Sequence, residues 1–257
     1  MLNFRNTNFL FLLIIAGTVW YNFSHAVPWY TYLLILFFYS LVLFYGSYYV
    51  GSNFYINVIC KLDTSKKQIA ISFDDSPAQS YTPEILEILK QHQVEAAFFC
   101  IGHRASEQEE LLIRIHDEGH VIGNHSYSHH FWFDLLSSKK MTQDLKMMDL
   151  AVEEATGLKP RLFRPPYGVT NPNLAKAIVR GGYTPIGWNI RSMDTVIKDE
   201  SKLLNKVLAR IKPGSIILFH DTSKTTVSIL STFIKKAREQ GYEIIRADKM
   251  LNVKAYA

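Results

Sequence analysis

The segment Gln-Ile-Ala-Ile-Ser-Phe-Asp-Asp at residues 68–75 is a mostly apolar run that ends abruptly in two carboxylates. The same change from apolar to ionisable residues recurs at four later segments: His125-Ser126-Tyr127-Ser128-His129, Arg164-Pro165-Pro166-Tyr167-Gly168, Met193-Asp194 and Leu218-Phe219-His220-Asp221. Ionisable groups at the rim of an apolar core cost free energy unless they bind a metal or pair with each other. The five segments together therefore predict one catalytic centre with a metal site, an acid and a base.

Short apolar segments alternate with longer amphipathic ones after residue 61. We expect strands at residues 68–73, 94–100, 121–123, 161–163, 184–188, 215–219 and 243–246. Helical patterns lie between them, at residues 83–92, 107–118, 139–156, 173–179, 202–211 and 227–240. Strict alternation of strand and helix indicates parallel pairing and an α/β fold. The five polar segments would then gather at the carboxyl ends of the strands, where barrels of this class build active sites.

The N-terminal region differs in composition from the rest, because no Asp, Glu, Lys or Arg lies between Arg5 and Lys61. Residues 29–50 are long enough to cross a bilayer core as a helix, which takes roughly 20 residues. Residues 8–22 form a marginal second span, and residues 22–28 carry turn formers. We therefore predict a membrane anchor at residues 1–60, with spans at 8–22 and 29–50, and a catalytic domain at residues 61–257.

A cleaved signal peptide is the rival interpretation of the first span. Ser24 and Ala26 could form a small-residue cleavage site. However, Arg5 is the only basic residue of this N-terminus, and another span follows directly. Two retained spans fit the pattern better.

Charge and cysteine content narrow the possible partners. Residues 61–257 hold 27 of the 28 basic residues and all 23 acidic ones, a net charge of +4 that is typical of an ordinary solvated surface. Because no basic run is interleaved with aromatic residues, we expect no nucleic-acid partner. Cys60 and Cys100 are the only cysteines, so neither a disulfide framework nor a cysteine-based zinc motif can form.

His125 and His129 could face a common ion, with Asp75 as the third ligand of a catalytic zinc site. The spacing alone is a weak signal in a chain with nine histidines. Asp74 strengthens it, because adjacent carboxylates on an extended run point opposite ways, so that one could bind metal while the other acts as general base. Taken alone, the Asp-Asp pair before Ser-Pro would instead indicate a capped turn.

Two further side chains fit the same centre. Arg164 can hold a carboxylate in a fixed orientation, and Asp74 is the partner we expect, although an isolated arginine could equally be a surface charge. His220 ends a predicted strand and precedes Asp221. An isolated strand-end histidine is more often structural, whereas beside a hydrated metal it could donate a proton to a leaving group.

The ordered motifs Asp-Asp, His-Ser-x-x-His, Arg-Pro-Pro-Tyr, Asp and Leu-x-His resemble the polysaccharide deacetylases of the NodB-homology type, carbohydrate esterase family 4. The resemblance covers about residues 66–252. It implies a distorted (β/α) barrel of about seven strands. The two predicted transmembrane helices would precede this barrel in the chain. It also implies a divalent ion, usually Zn²⁺, and hydrolysis of N-acetyl groups on amino-sugar polymers such as peptidoglycan or chitin.

The resemblance assigns a role to each of several residues. Asp74 resembles the catalytic base, Arg164 the arginine that orients it, and His220 the general acid. The remaining assignments are Asp75, His125 and His129 as metal ligands, the Tyr167 N–H as oxyanion donor, Asp194 as the tether of His220, and Leu218 and Trp188 as substrate contacts.

Three positions depart from the family pattern: Ser76, Arg191 and Thr195 stand where glycine, an acidic residue and tryptophan are usual. The metal and base motifs are unchanged, so the departures concern the wall of the substrate site. Arg191 would favour a substrate that carries a carboxylate, unless it is a surface residue without a role.

The predicted function is therefore metal-dependent removal of N-acetyl groups from a glycan, with release of acetate, by an integral protein of a bacterial cell membrane. Hydrolysis of O-acetyl esters and glycan binding without catalysis stay open as alternatives, and the intact Asp74 and His220 argue against the second. The expected partners are an N-acetylated glycan and membrane lipid. The few basic residues beside the spans favour a cytoplasmic barrel, but the location of acetylated wall polymers favours the outer side, which we predict.

Overall fold

The computed structural model of the protein describes residues 2–257. Its helices are α1 (Phe4–Asn22), α2 (Tyr30–Tyr48), α3 (Thr82–Gln91), α4 (Gly102–Glu107), α5 (Glu109–Asp117), α6 (Ser138–Thr156), α7 (Pro172–Gly181), α8 (Glu200–Leu208), α9 (Lys224–Glu239) and α10 (Ala247–Leu251). Its strands are β1 (Gln68–Ser76), β2 (Ala97–Cys100), β3 (Val121–Asn124), β4 (Leu162–Phe163), β5 (Thr184–Pro185), β6 (Ile190–Arg191), β7 (Ser215–His220) and β8 (Glu243–Ile244).

The strands form one parallel sheet in the order β5-β4-β3-β2-β1-β7-β6, and β8 pairs with the beginning of β1. β1 is central, because β2 and β7 flank it along most of its length. The sheet curves into a half-barrel with helices packed on its outer face. The predicted α/β barrel is thereby confirmed.

The strand predicted at residues 184–188 is present only as β5, and a further short strand, β6, follows after the predicted range. Between them, Ile186 pairs with Ile59 in a parallel bridge, and the Gly187 N–H donates to the Ile59 carbonyl. A segment from the N-terminal side of the barrel therefore occupies this part of the wall. The additional strand β6 raises the number of strands from the predicted seven to eight.

Local signals set several helix ends. Ser137, Asn171 and Asp199 each accept a hydrogen bond from the backbone N–H three residues later, at the starts of α6, α7 and α8. Gly157 ends α6 in the left-handed conformation. The helix predicted at 107–118 is present as α5, and the preceding α4 was not predicted; Gln108 separates the two helices because its dihedral angles are non-helical.

Alternation along β1 separates the hydrophobic core from the barrel interior. Ile69, Ile71 and Phe73 belong to the large core cluster that includes the apolar residues of α3, α5 and α9. Successive side chains of a strand point to opposite faces, so Ser72 and Asp74 face the other way. Polar side chains therefore reach the inside of the barrel without interrupting the packing beneath the helices.

The two spans predicted at residues 8–22 and 29–50 are present as helices α1 and α2, which together form a helical hairpin. Within the described residues 2–257, only α2 is long and apolar enough to cross a membrane by length and composition. α1 falls short because its first turns carry Arg5, Asn6, Thr7 and Asn8. The two helices contact each other, with the Tyr39 hydroxyl donating to Asn8 Oδ1 over 2.8 Å.

The hairpin is joined to the barrel by hydrogen bonds at the end of α2. The Thr170 N–H donates to the Ser47 carbonyl over 3.0 Å, and the Thr170 hydroxyl donates to the Gly46 carbonyl over 3.1 Å. At the other end of the hairpin, the Phe4 N–H donates to the Phe54 carbonyl. The loop after β4 is therefore held against the carboxyl end of α2.

The contact of Gly214 with the segment before β1 predicts a stability difference between two glycine substitutions. Gly214 has φ +76°, and a Cβ there would lie 1.8 Å from the Leu62 carbonyl oxygen, whereas a Cβ on Gly157, at φ +71°, would meet nothing within 4 Å. Gly157→Ala should cost about 1 kcal/mol of unfolding free energy and Gly214→Ala roughly 3 kcal/mol. Equal losses of unfolding free energy for the two variants, measured by chemical denaturation, would contradict the close contact between Gly214 and the Leu62 carbonyl.

Candidate active site

Asp74 and Asp75 both face one cluster at the carboxyl end of β1. The nearest carboxylate oxygens of Asp74 and Asp75 each lie 3.8 Å from His125 Nε2, and Asp75 Oδ1 lies 3.5 Å from His129 Nε2. The expectation that the two carboxylates point opposite ways is wrong. The register with β2 shifts between Asp74 and Ser76, and Asp75 has φ +69°, so the strand is no longer extended where the second carboxylate leaves it.

One ligand atom from each of Asp75, His125 and His129 can be chosen so that all three lie within 4.8 Å of one another. Two imidazoles and one carboxylate match the donor set of catalytic zinc sites, which leave a further position open. His125 Nδ1 donates to the Arg164 carbonyl over 2.9 Å, so Nε2 is the nitrogen available toward the cluster. The residues present therefore fit a divalent metal ion.

Burial keeps both imidazoles in the form that binds metal. It lowers the pKa of His125 to about 3, and His129 adds to this effect against the opposing charge of Asp75. Burial also lowers the pKa of His129, again against Asp75. Both rings are therefore neutral near pH 7 and have a lone pair to offer.

The loop that carries both histidines is held by carboxylates of α6, which sequence reasoning missed. Asp144 Oδ1 accepts from the Tyr127 N–H over 2.7 Å. Asp149 accepts from the Asn124 side chain, whose own oxygen accepts from the Ser126 N–H over 2.9 Å. The available signal was Asp149 itself, a charged residue within the apolar stripe of α6.

Arg164 is fully buried and holds Asp74, as predicted. Its Nη1 donates to Asp74 Oδ1 over 2.7 Å and to the Ser72 hydroxyl over 2.9 Å. Its other donors bond the carbonyls of Ile186 and Gly187. Burial lowers the pKa of Arg164 and Asp74 raises it, but an arginine stays charged, so its guanidinium holds Asp74 in one orientation.

His220 lies beside Asp74 in the register of β1 and β7 and is bonded to Asp194. Its Nδ1 lies 2.8 Å from Asp194 Oδ1, and its backbone N–H donates to Oδ2 over 2.6 Å. Burial opposes the charged imidazole, but the hydrogen bond and charge of Asp194 outweigh it and raise the pKa of His220 to about 9. The arrangement provides a protonated imidazole next to a carboxylate clamped by arginine.

The predicted substrate contacts lie around this centre. Tyr167 has φ +58°, and its ring centroid is 4.8 Å from that of His129. Trp188 is half-buried, with its ring centroid 5.6 Å from the Arg164 guanidinium carbon. Leu218 is buried two residues before His220, on the same face of β7. All predicted site residues are therefore gathered at one end of the barrel.

Two aromatic residues near the cluster were missed from the sequence. Phe131 and Trp132 follow His129 and are largely exposed, and the Phe131 ring lies 6.3 Å from that of Tyr167. Asp221, by contrast, does not join the cluster. It is fully buried, its pKa is raised to about 7 by burial, and it accepts a hydrogen bond from Thr82.

Comparison with known proteins defines the class of the chain. Residues 61–186 match the family described as polysaccharide deacetylase. The peptidoglycan-N-acetylmuramic acid deacetylase PdaA of Bacillus subtilis is 31% identical over 216 residues, which cover 82% of this chain and 78% of that protein. The chain belongs to the polysaccharide deacetylase family.

The peptidoglycan-N-acetylglucosamine deacetylase PgdA of Listeria monocytogenes is 35% identical over 206 residues. The match covers 80% of this chain but 43% of PgdA, so the chain spans less than half the length of that relative.

Solved structures agree with the assignment. The Bc1960 peptidoglycan N-acetylglucosamine deacetylase superposes with a TM-score of 0.74 at 28% identity, over 78% of this chain and 95% of that one. A family 4 pseudoenzyme from Bacillus anthracis superposes with a TM-score of 0.71 at 32% identity, over 75% of this chain and 68% of that one. Because a pseudoenzyme shares the fold, activity has to be argued from the side chains of the site.

The Asp194 contact predicts a measurable pKa change at His220. Asp194→Asn removes the negative charge that favours the imidazolium, while burial continues to oppose it, so the pKa of His220 should fall from about 9 to below the ordinary value near 6.5. NMR titration of the labelled imidazole measures both values. The stability that the pair contributes should be complete below the unfolded pKa and disappear as pH rises through about 9. An unchanged pKa in the variant would contradict the contact.

Proposed function

We propose that the protein is a metal-dependent hydrolase that removes N-acetyl groups from amino-sugar residues of a glycan and releases acetate. The observation that carries this proposal is the union of three parts: a two-histidine, one-carboxylate cluster, a carboxylate clamped by a buried arginine, and a histidine charged by a buried aspartate. Binding alone needs neither a base nor an acid. Amide hydrolysis needs both.

Asp75, His125 and His129 would hold the metal, for which the donor set favours Zn²⁺. When bound, such an ion lowers the pKa of water from about 15.7 toward about 7 and polarises a carbonyl oxygen. The neutral imidazoles and the loop bonds from Asp144 prepare the ligands in advance.

Asp74 accepts the proton of the attacking water in this mechanism. Arg164 keeps Asp74 oriented, because the guanidinium is itself held by Ser72 and by two backbone carbonyls. The backbone N–H of Tyr167 donates to the oxyanion that develops on the acetyl group. His220, kept protonated by Asp194, then donates a proton to the departing amine.

The remaining contacts are proposed to bind the sugar. Leu218 lies against the acetyl methyl group, and Trp188 and Tyr167 line the site beside it. The exposed rings of Phe131 and Trp132 offer apolar faces on which a sugar ring can lie. The names of the relatives favour peptidoglycan over chitin as the source of the glycan.

The location proposed is a bacterial cell membrane, with α2 as the membrane-spanning helix and α1 returning beside it. Length and composition of α2 support this assignment. The start of α1 is bonded to Phe54 and the end of α2 to Thr170, which supports placing both ends of the hairpin on the barrel side. We place the barrel on the outer side of the membrane, where acetylated wall polymers are found.

Acetate release tests the activity directly. The full-length protein with added Zn²⁺ should release acetate from N-acetylglucosamine oligomers, more slowly or not at all from O-acetylated xylan, and from neither substrate after chelation. Release from xylan alone would replace the proposal with an O-acetyl esterase. Release from neither substrate, with metal bound, would indicate a protein that binds glycan without hydrolysing it.

Two substitutions should separate metal binding from proton transfer. His125→Ala removes a ligand and should lower both bound zinc and turnover, whereas Asp74→Asn should retain zinc and lower kcat by about 10² to 10⁴. Asp117→Asn, an exposed carboxylate on α5, is the matched control and should change neither quantity. Zinc content by atomic absorption and acetate release are the measurements. Substantial activity in Asp74→Asn would exclude Asp74 as the base.

A further inference from the structure

A cavity of about 560 Å³ lies between the segment that follows α2 and the barrel wall. Its lining includes Tyr48, Tyr49, Cys60, Arg191 and Arg210. Its volume falls within the range of small-molecule sites, about 300 to 1,000 Å³. The proposed deacetylation mechanism assigns this space no role.

The cavity adjoins the catalytic centre through two shared residues, Tyr167 and Trp188. The Tyr167 ring contacts that of His129, and Trp188 lies over the Arg164 guanidinium. A saccharide whose acetyl group reaches the metal cluster would therefore extend past these two rings into the cavity.

Two of the three cationic side chains that line the cavity have no carboxylate partner within residues 2–257. Lys61, also in the lining, is bonded to Asp63 over 2.6 Å. Arg191 and Arg210 are exposed and form no ion pair with any residue of the described chain, 2–257. Both arginines line the same cavity, and both of their charges act on the neighbouring Lys206. Two guanidinium groups at one opening favour an anionic group with several oxygens.

The position of the cavity indicates where that anion comes from. Tyr48 ends α2, the helix proposed to cross the membrane, and Tyr48 and Tyr49 are both exposed. Tyrosine at such a helix end is typical of the membrane–water interface. Thr170, three residues after Tyr167, is bonded to the same end of α2. With α2 as the proposed membrane-spanning helix, the opening would lie at the depth of lipid phosphate groups.

We propose that this cavity binds the phosphate of an amino sugar linked to a membrane lipid, with Arg191 and Arg210 as the residues that contact the phosphate. The substrate is then a saccharide still attached to its lipid carrier, presented from the membrane surface to the catalytic centre. This inference rests on the proposed deacetylase function and specifies the form in which the substrate is taken.

Protection of Cys60 from alkylation tests binding without reference to activity. Cys60 lines the cavity, whereas Cys100 is fully buried and serves as the unreactive reference. The full-length protein in lipid vesicles is treated with a maleimide, with and without polyprenyl-phosphate-linked N-acetylglucosamine in the bilayer. At a ligand concentration tenfold above Kd, alkylation of Cys60 should slow roughly tenfold. The double variant Arg191→Gln, Arg210→Gln should lose this protection, and Arg180→Gln, an exposed arginine on α7, should keep it.

Soluble ligands separate the possible sources of the anion. Inorganic phosphate and a disaccharide containing N-acetylmuramic acid, which carries a carboxylate, are tested at the same concentration. Protection by the lipid-linked sugar alone supports the proposal. Equal protection by inorganic phosphate or by the muramic acid disaccharide would overturn the membrane-linked source, and no protection by any ligand would overturn the binding site.

Acetate release completes the test and separates the two proposals. The ratio of kcat/KM for the lipid-linked sugar to kcat/KM for neutral N-acetylglucosamine oligomers should fall about tenfold for each arginine replaced, and stay unchanged in Arg180→Gln. Acetate release from neutral oligomers without protection of Cys60 would overturn this inference and leave the proposed function intact. Protection of Cys60 without acetate release from any substrate would overturn the proposed function and retain the binding site.

Discussion

The buried guanidinium of Arg164 is the interaction on which the site depends. It bonds Asp74 and Ser72 of β1 and the carbonyls of Ile186 and Gly187, while its own carbonyl accepts from His125. One residue therefore joins the proposed base, a proposed metal ligand and the wall between β5 and β6. Removing one partner of such a buried charge pair typically costs about 3 to 5 kcal/mol, because the other charge is left without compensation.

Backbone conformation supplies the second constraint. Asp75, Ser126, His129 and Tyr167 all have positive φ, a conformation that costs free energy for residues with a side chain. These four residues lie within the segments that surround the candidate metal ligands. Their conformations are retained because side chains of neighbouring elements, such as Asp144 of α6, bond the loop backbone. These strained backbone conformations bring together side chains that a regular extended strand would hold apart.

The segment between α2 and β1 connects the N-terminal helices to the barrel wall beside the candidate active site. Ile59 pairs with Ile186 and Lys61 with Ser215, so this segment completes the barrel wall beside the catalytic centre. The same segment lines the cavity that holds Arg191 and Arg210. If α2 crosses the membrane as proposed, this connection would fix the position of the substrate site relative to the bilayer, which a flexible tether would not provide.

The sequence by itself determined the parallel α/β barrel, the helical hairpin and the set of residues that meet at one end of the sheet. It could do so because hydrophobic periodicity sets the elements, and parallel strands bring their carboxyl ends together. Only the tertiary structure decided that Asp74 and Asp75 face the same cluster, that α6 holds the histidine loop, and that Ile59 pairs with Ile186 where the predicted strand at residues 184–188 ends early. These features depend on contacts between residues distant in sequence and on positive φ angles, neither of which leaves a periodic signal in the chain.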